Sequence, residues 1–232
     1  MENKLRLYHG SPKVIENPAF GLGNPQNDYG LGFYCTESIE LAKEWACSVE
    51  TDGFANQYML DMSDLSVLYL TGGEYHILNW LSILLENRKF RTNSTIARQA
   101  REYITTHFAV NYERYDVIIG YRADDSYFSF ASAFLNNTIS LPQLERAMFL
   151  GKLGEQIVVK SEKAFEKLRF IDAVHAPQEI YFPKKLLRDT SARVEFQKEK
   201  SREAIWSETY ILDIIREGWK DDDSRLRRII SG

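Results

Sequence analysis

Leu-Tyr-His-Gly-Ser at residues 7–11 and Tyr-Gly-Leu-Gly-Phe-Tyr-Cys-Thr at residues 29–36 bracket the stretch on which the rest of the chain is organised. The first segment reads as the end of a strand: from Lys4 to His9 the residues Leu5, Leu7 and His9 share one face, and Lys4, Arg6 and Tyr8 share the other. The second segment is a short strand entered through two glycines. Gly30 and Gly32 flank Leu31, so the backbone there can take positive φ and pass close to another group without a Cβ in the way. From Ser38 to Val49 the residues Ile39, Leu41, Ala42, Trp45, Ala46 and Val49 recur at helical spacing, with Thr36 or Ser38 as N-cap. Two strands and a helix arranged in this way can bring the rings of Tyr34 and Trp45 to opposite sides of one slot for a flat polar ligand.

Residues 12–29 hold Pro12, Pro18, Pro25, Gly21, Gly23 and several asparagines, an irregular loop by composition. Further along, Tyr58 to Leu70 reads as strand, turn at Asp61 to Asp64, and a second strand or edge. Glu74 to Leu85 and Ala97 to Phe108 are amphipathic helices, and the basic run Asn87 to Asn93 links them. Tyr115 to Tyr121 is a strand of the fully buried kind. It ends in Arg122-Ala123-Asp124-Asp125-Ser126, which is dense enough in polar groups for the rim of a site and equally suited to capping a helix through Phe134. Pro142 to Leu150 is a short helix, broken by Gly151 and Gly154. Glu155 to Val159 is a strand whose alternation lets only one of Glu155 and Gln156 face any pocket. Lys163 to Phe170 reads as helix, Val174 to Phe182 as a strand or extended segment, and Pro183 as the start of a charged helical tail. The tail's apolar stripe, Ile205, Tyr210, Ile211, Ile214 and Ile215, is expected to pack back on the domain.

The chain has 232 residues, 44% hydrophobic and 27% charged, with a net charge of -4. That suits a globular protein with a sizeable core and disfavours a general nucleic-acid or anionic-membrane surface. Cys35 and Cys47 make neither a disulfide framework nor a metal site, and ordinary buried thiols are expected. His76 and His107 lack metal-ligand spacing. With no signal-peptide pattern and no membrane-length apolar run, the expectation is a cytoplasmic protein.

His9-Gly10-Ser11, Gly32-Phe33-Tyr34 and the aromatic Trp45 eleven residues on together resemble the nicotinamide pocket of the ADP-ribosyltransferases, in the diphtheria toxin and poly-ADP-ribose polymerase branch. The chain also resembles, over most of its length, a bacterial group of unknown function placed in that superfamily. The resemblance implies an α+β fold with a split β-sheet core around an NAD cleft, spanning residues 1–183. Helices are inserted at about 74–110, and residues 184–232 form a helical extension. It implies NAD as co-substrate, no metal, and transfer of ADP-ribose to a macromolecular acceptor, protein or nucleic acid. Small bacterial transferases of this kind are often toxins of toxin–antitoxin or phage-defence pairs, so a cognate antitoxin is an implied partner.

Residue by residue, the resemblance implies that His9 bonds the adenosine-side ribose and that the Gly10 backbone holds the carboxamide. Tyr8, Ser11, Gly32 and Phe33 would complete the wall, and Tyr34 and Trp45 would sandwich the nicotinamide ring. On the residues alone, His9 equally fits a structural histidine bonded to a neighbouring carbonyl. The serine that the polymerases carry three residues before the second aromatic is Ala42 here. Glu155 occupies the place of the glutamate that the polymerase-like pattern puts at the start of its strand, whereas the bacterial group keeps a glutamine, here Gln156. In the latter case the negative charge must come from elsewhere, such as Asp124 or Asp125. Arg122, Asp124 and Asp125 are candidate substrate contacts. A glycohydrolase using the same pocket, or a binding module without turnover, are the other classes that the residues allow.

Overall fold

A computed structural model describes residues 3–90, 93–122, 125–150, 154–201 and 208–229. The chain runs β1 (Lys4–Ser11), β2 (Phe33–Cys35), α1 (Ile39–Ala46), β3 (Gly53–Asp61), β4 (Val67–Tyr69), α2 (Ile77–Asn87), α3 (Thr95–His107), β5 (Val117–Tyr121), α4 (Asp125–Leu135) and α5 (Leu141–Ala147). It continues through β6 (Glu155–Val159), α6 (Glu162–Glu166), β7 (Leu168–Ala176), α7 (Gln178–Ser201), α8 (Ile211–Arg216) and α9 (Ser224–Ile229). The fold is α+β, with two open sheets.

One sheet has the antiparallel order β1-β3-β7, and the other the order β2-β6-β5-β4, in which only β4 and β5 run parallel. Among the described residues a single bridge joins them, with Tyr8 and Thr36 exchanging backbone bonds of 2.8 and 3.0 Å. Beyond that bridge the sheets fold against each other. Leu7, Tyr58, Leu60 and Leu168 of the first pack on Phe33, Cys35, Val117, Ile119, Ile157 and Val159 of the second. The opposite face of the second sheet, with Tyr34, Ile118 and Val158, meets the larger core built on α2, α3, α4 and α5. β5 is therefore covered on both sides, which is why it reads as a continuous apolar run.

Helix α1 starts where Ser38 caps it, its side chain accepting from Leu41 N–H, and the helix ends at Ala46 rather than at Val49. It lies tight on β1. A Cβ on Gly10 would overlap the Ala42 carbonyl oxygen and crowd the Ala46 nitrogen, so the strand and helix can approach this closely only with glycine there. Gly30 takes positive φ, at +72°, and a Cβ on Gly32 would come within 2.6 Å of Val158 Cγ1. Both thiols are free and buried.

Besides the shorter ends of helices, two segments differ in kind from the sequence expectation. Helix α6 ends at Glu166, and Leu168 to Ala176 pairs with β3 along its length, so the segment expected as helix to Phe170 is already strand. Pairing to a central strand overrides the local helical period. Conversely, of the segment expected as strand or extended from Val174 to Phe182, Val174 to Ala176 are strand in β7, but from Gln178 the chain is α7, which runs through Pro183 into the expected tail. Pro183 therefore marks no boundary. Of the tail stripe, Ile211 and Ile214 are fully buried in the larger core, as expected, while Ile205 lies outside the described residues.

Candidate functional site

Tyr34 on β2 and Gln156 on β6 point to the same face of the second sheet, because Tyr34 pairs with Val158 and alternation carries the face on to residue 156. Together with Trp45 and Glu44 of α1, Asn27 and Asp28 of the loop before β2, Arg88 after α2 and Arg122 after β5, they line a cleft of about 470 Å³. Its remaining wall is α7, through Lys185, Leu186, Arg188, Asp189 and Arg193.

Burial pushes the Tyr34 hydroxyl well above the usual tyrosine range, and its oxygen donates to Gly30 O at 2.5 Å while accepting from Tyr29 N–H at 3.1 Å. The ring is thereby fixed. Trp45 carries the Arg122 guanidinium over its ring, 3.0 Å from the centroid, a flat delocalised cation on an aromatic face. Gln156 is 5% exposed, and its Oε1 is buried without a hydrogen-bond partner. A buried acceptor left unmade is unfavourable unless a ligand completes it.

The lining carries Arg88, Arg122, Lys185, Arg188 and Arg193 against Asp28, Glu44 and Asp189. Arg188 holds Glu44 through two bonds of 2.8 Å, Arg193 pairs Asp189 at 2.8 Å, and Arg88 lies 3.7 Å from Asp28. The surplus of cations favours an anionic ligand. Asp28, 5% exposed, is the cleft carboxylate on the same segment as Tyr34. In the sequence it belongs to Asn24 to Asp28, polar enough to lie over a ligand or merely to connect strands, with nothing that singles out Asp28 beyond its position beside Tyr29 and Gly30.

The structure separates the remaining expected site residues from the cleft. His9 shares its strand face with Leu7, on the inter-sheet side. Its ring stacks on Phe33 at 4.2 Å, and its Nδ1–H donates to the Tyr34 carbonyl at 2.7 Å. Phe33 and Tyr34 are consecutive on a strand and point to opposite faces, so His9 holds the backbone of Tyr34 from behind. This is the structural-histidine alternative. Tyr8 packs with Ala42 and Ala55, Gly10 lies under α1, Ser11 Oγ accepts from Lys13 N–H, and Gly32 backs on Val158. Glu155 is exposed and turned from the cleft, accepting from Thr71 Oγ1. The strand register thus gives Gln156, not Glu155, to the cleft. Asp124 and the side chain of Asp125 lie outside the described residues.

No helix among the described residues is long and apolar enough to cross a membrane. No curated protein and no solved structure matches the chain. The model of one family matches residues 5–170, which contain β1 through α6 and every cleft residue except those of α7. The chain therefore belongs to the family described as a protein of unknown function, DUF3990.

Proposed function

We propose that the cleft takes NAD and that the protein transfers ADP-ribose from it to a macromolecular acceptor, releasing nicotinamide. The observation that carries this reading is the convergence of Tyr34, Trp45 and the unpartnered Gln156 amide oxygen on one cation-rich cleft. The flat cation now on Trp45 is Arg122, and a pyridinium has the same shape and charge. Displaced by it, Arg122 joins Lys185 as a counter-charge for the diphosphate. The Gln156 Oε1 accepts from a ribose hydroxyl. His9 acts by positioning Tyr34, not by touching NAD.

Breaking the bond between C1′ and the nicotinamide nitrogen sends the bonding pair to nicotinamide and leaves an oxocarbenium-like ribose. The acceptor's lone pair then attacks C1′ and its proton passes to a base. A carboxylate beside the ribose stabilises that ion more than the ground state. Gln156 brings no charge, so in this reading Asp28 supplies it. Incubation with labelled NAD and a cell lysate should place label in protein or nucleic acid. Asp28→Asn should reduce nicotinamide release about 100-fold with NAD affinity little changed. Release of free ADP-ribose alone would make it a glycohydrolase.

The uncharged amide at 156 favours one other reading, a module that binds NAD or ADP-ribose without turnover. It predicts saturable binding, no nicotinamide release at any protein concentration, and an Asp28→Asn variant identical to wild type in both respects.

A further inference from the structure

On the other side of the β5 and β6 ends lies a second cavity of about 390 Å³, lined by Thr71, Gly72, Tyr75, His76, Ile77, Tyr121, Pro142, Glu145, Arg146 and Phe149. Its chemistry is opposite to that of the cleft. Three aromatic rings contribute to its wall, Tyr75, Tyr121 and Phe149, and Phe149 stands edge-on to Tyr121 at 6.0 Å although it is 68% exposed. Exposure of one ring is ordinary on a protein surface; here it stands beside two further rings on one concave wall, and together they offer an apolar face to a ligand. Tyr121 is held from behind by Trp80, whose ring lies 6.0 Å away and whose indole N–H donates to the Tyr121 carbonyl at 3.2 Å.

Among these rings sits the carboxyl of Glu145, half-buried on α5 and with no hydrogen bond or ion pair among the described residues. Burial pushes its pKa up to about 7, against a smaller lowering by Arg146. The cations at this wall are committed elsewhere: Arg146 bonds Glu199 at 2.5 Å and reaches Glu208 at 3.4 Å, and His76 lies 3.2 Å from Asp221. At the cavity's edge Glu155, bonded to Thr71, adds a second carboxylate, and both glutamates raise the pKa of Tyr121 beyond what burial does.

We propose that this cavity binds an organic cation, an alkylammonium or alkylguanidinium group, with its charge on Glu145 and its carbons against Tyr75, Tyr121 and Phe149. A desolvated carboxyl without a counter-charge gains most from a cation, and aromatic faces attract the same ligand. An anion would meet Glu145 and Glu155 unfavourably, and a neutral ligand would leave the carboxyl uncompensated. The shared chemistry has two sources, a free small amine and a lysine or arginine side chain of another protein. The proposal does not depend on what the cleft binds.

Calorimetric titration of the whole protein with n-butylguanidinium, n-butylamine and neutral n-butylurea at pH 8 tests it. A capped Gly-Arg-Gly peptide forms a further arm. The cations should bind saturably and at least tenfold more tightly than the urea. Their affinity should fall as pH drops through 7 and the proton competes for Glu145. Glu145→Gln should abolish the preference for cations over urea, and Phe149→Ser should weaken cation binding several-fold, both with unaltered circular dichroism. Tighter binding of the peptide than of free n-butylguanidinium would assign the source to a protein side chain; the reverse would assign it to a small amine. Equal affinity for urea and guanidinium, an unchanged Glu145→Gln, or no saturable heat with any probe would overturn it.

Discussion

Gln156 and Glu155 are neighbours in sequence and face opposite sides of β6, so substitutions at the two should have different consequences. Glu155→Gln, exposed and away from the cleft, should leave NAD binding and nicotinamide release within about twofold of wild type. Gln156→Glu places a carboxylate on the buried, unpartnered side, and nicotinamide release should rise about tenfold or more if charge at the ribose is what limits the rate. Steady-state assays of the two variants in parallel check this. His9 provides a pH test of its positioning role. Burial lowers its pKa below the usual histidine range, against a smaller opposing effect of its bond to Tyr34. The folded state therefore favours neutral His9. Its stability is complete above the ordinary pKa near 6.5 and is lost as pH falls below it. Urea midpoints of wild type should drop more steeply between pH 7 and 5 than those of His9→Gln, whose amide can still donate to the Tyr34 carbonyl. Parallel slopes would remove His9 from that role.

At the scale of elements, two contacts of α1 set the cleft. Gly10→Ala drives a methyl into the Ala42 carbonyl, which only a shift of the helix can relieve, and should lower stability by about 2 kcal/mol in denaturant unfolding. The Glu44–Arg188 pair ties α7 to α1 across the cleft, with the Glu44 residue 2% exposed. Arg188→Ala leaves that carboxylate uncompensated and should cost about 3 kcal/mol, and Glu44→Gln in the same chain should recover much of it. α1 was legible in the sequence apart from its last turn, since its cap and its apolar period agree, whereas its close approach to Gly10 was not. α7 was not. Its contribution to the cleft comes from charged residues at 185–193, of which Arg188 finds its partner Glu44 in α1, far away in sequence, and Pro183 argued locally for a break. The start of β7 was missed for a related reason: Leu168 to Phe170 is strand because β3 offers an edge to pair with, which no local pattern records.

Across the whole molecule, the cleft and the cavity beyond β5 differ in what they gather. The cleft collects arginines and a lysine around Tyr34 and Trp45, while the cavity beyond β5 sets Glu145 among Tyr75, Tyr121 and Phe149, with Glu155 at its edge. The sequence motif around His9, Tyr34 and Trp45 located the neighbourhood of the cleft, yet it could not say on which side of its strand each residue would fall. His9 and Phe33 went to the inter-sheet core, and Tyr34 to the cleft. Equilibrium titration of NAD into wild type, Tyr34→Ala, Arg122→Glu and Glu155→Gln decides whether this cleft seats NAD. Saturable binding is expected, weakened at least tenfold by the first two substitutions and unchanged by the third. Absence of binding to wild type, or binding indifferent to Tyr34 and Arg122, would contradict that seating.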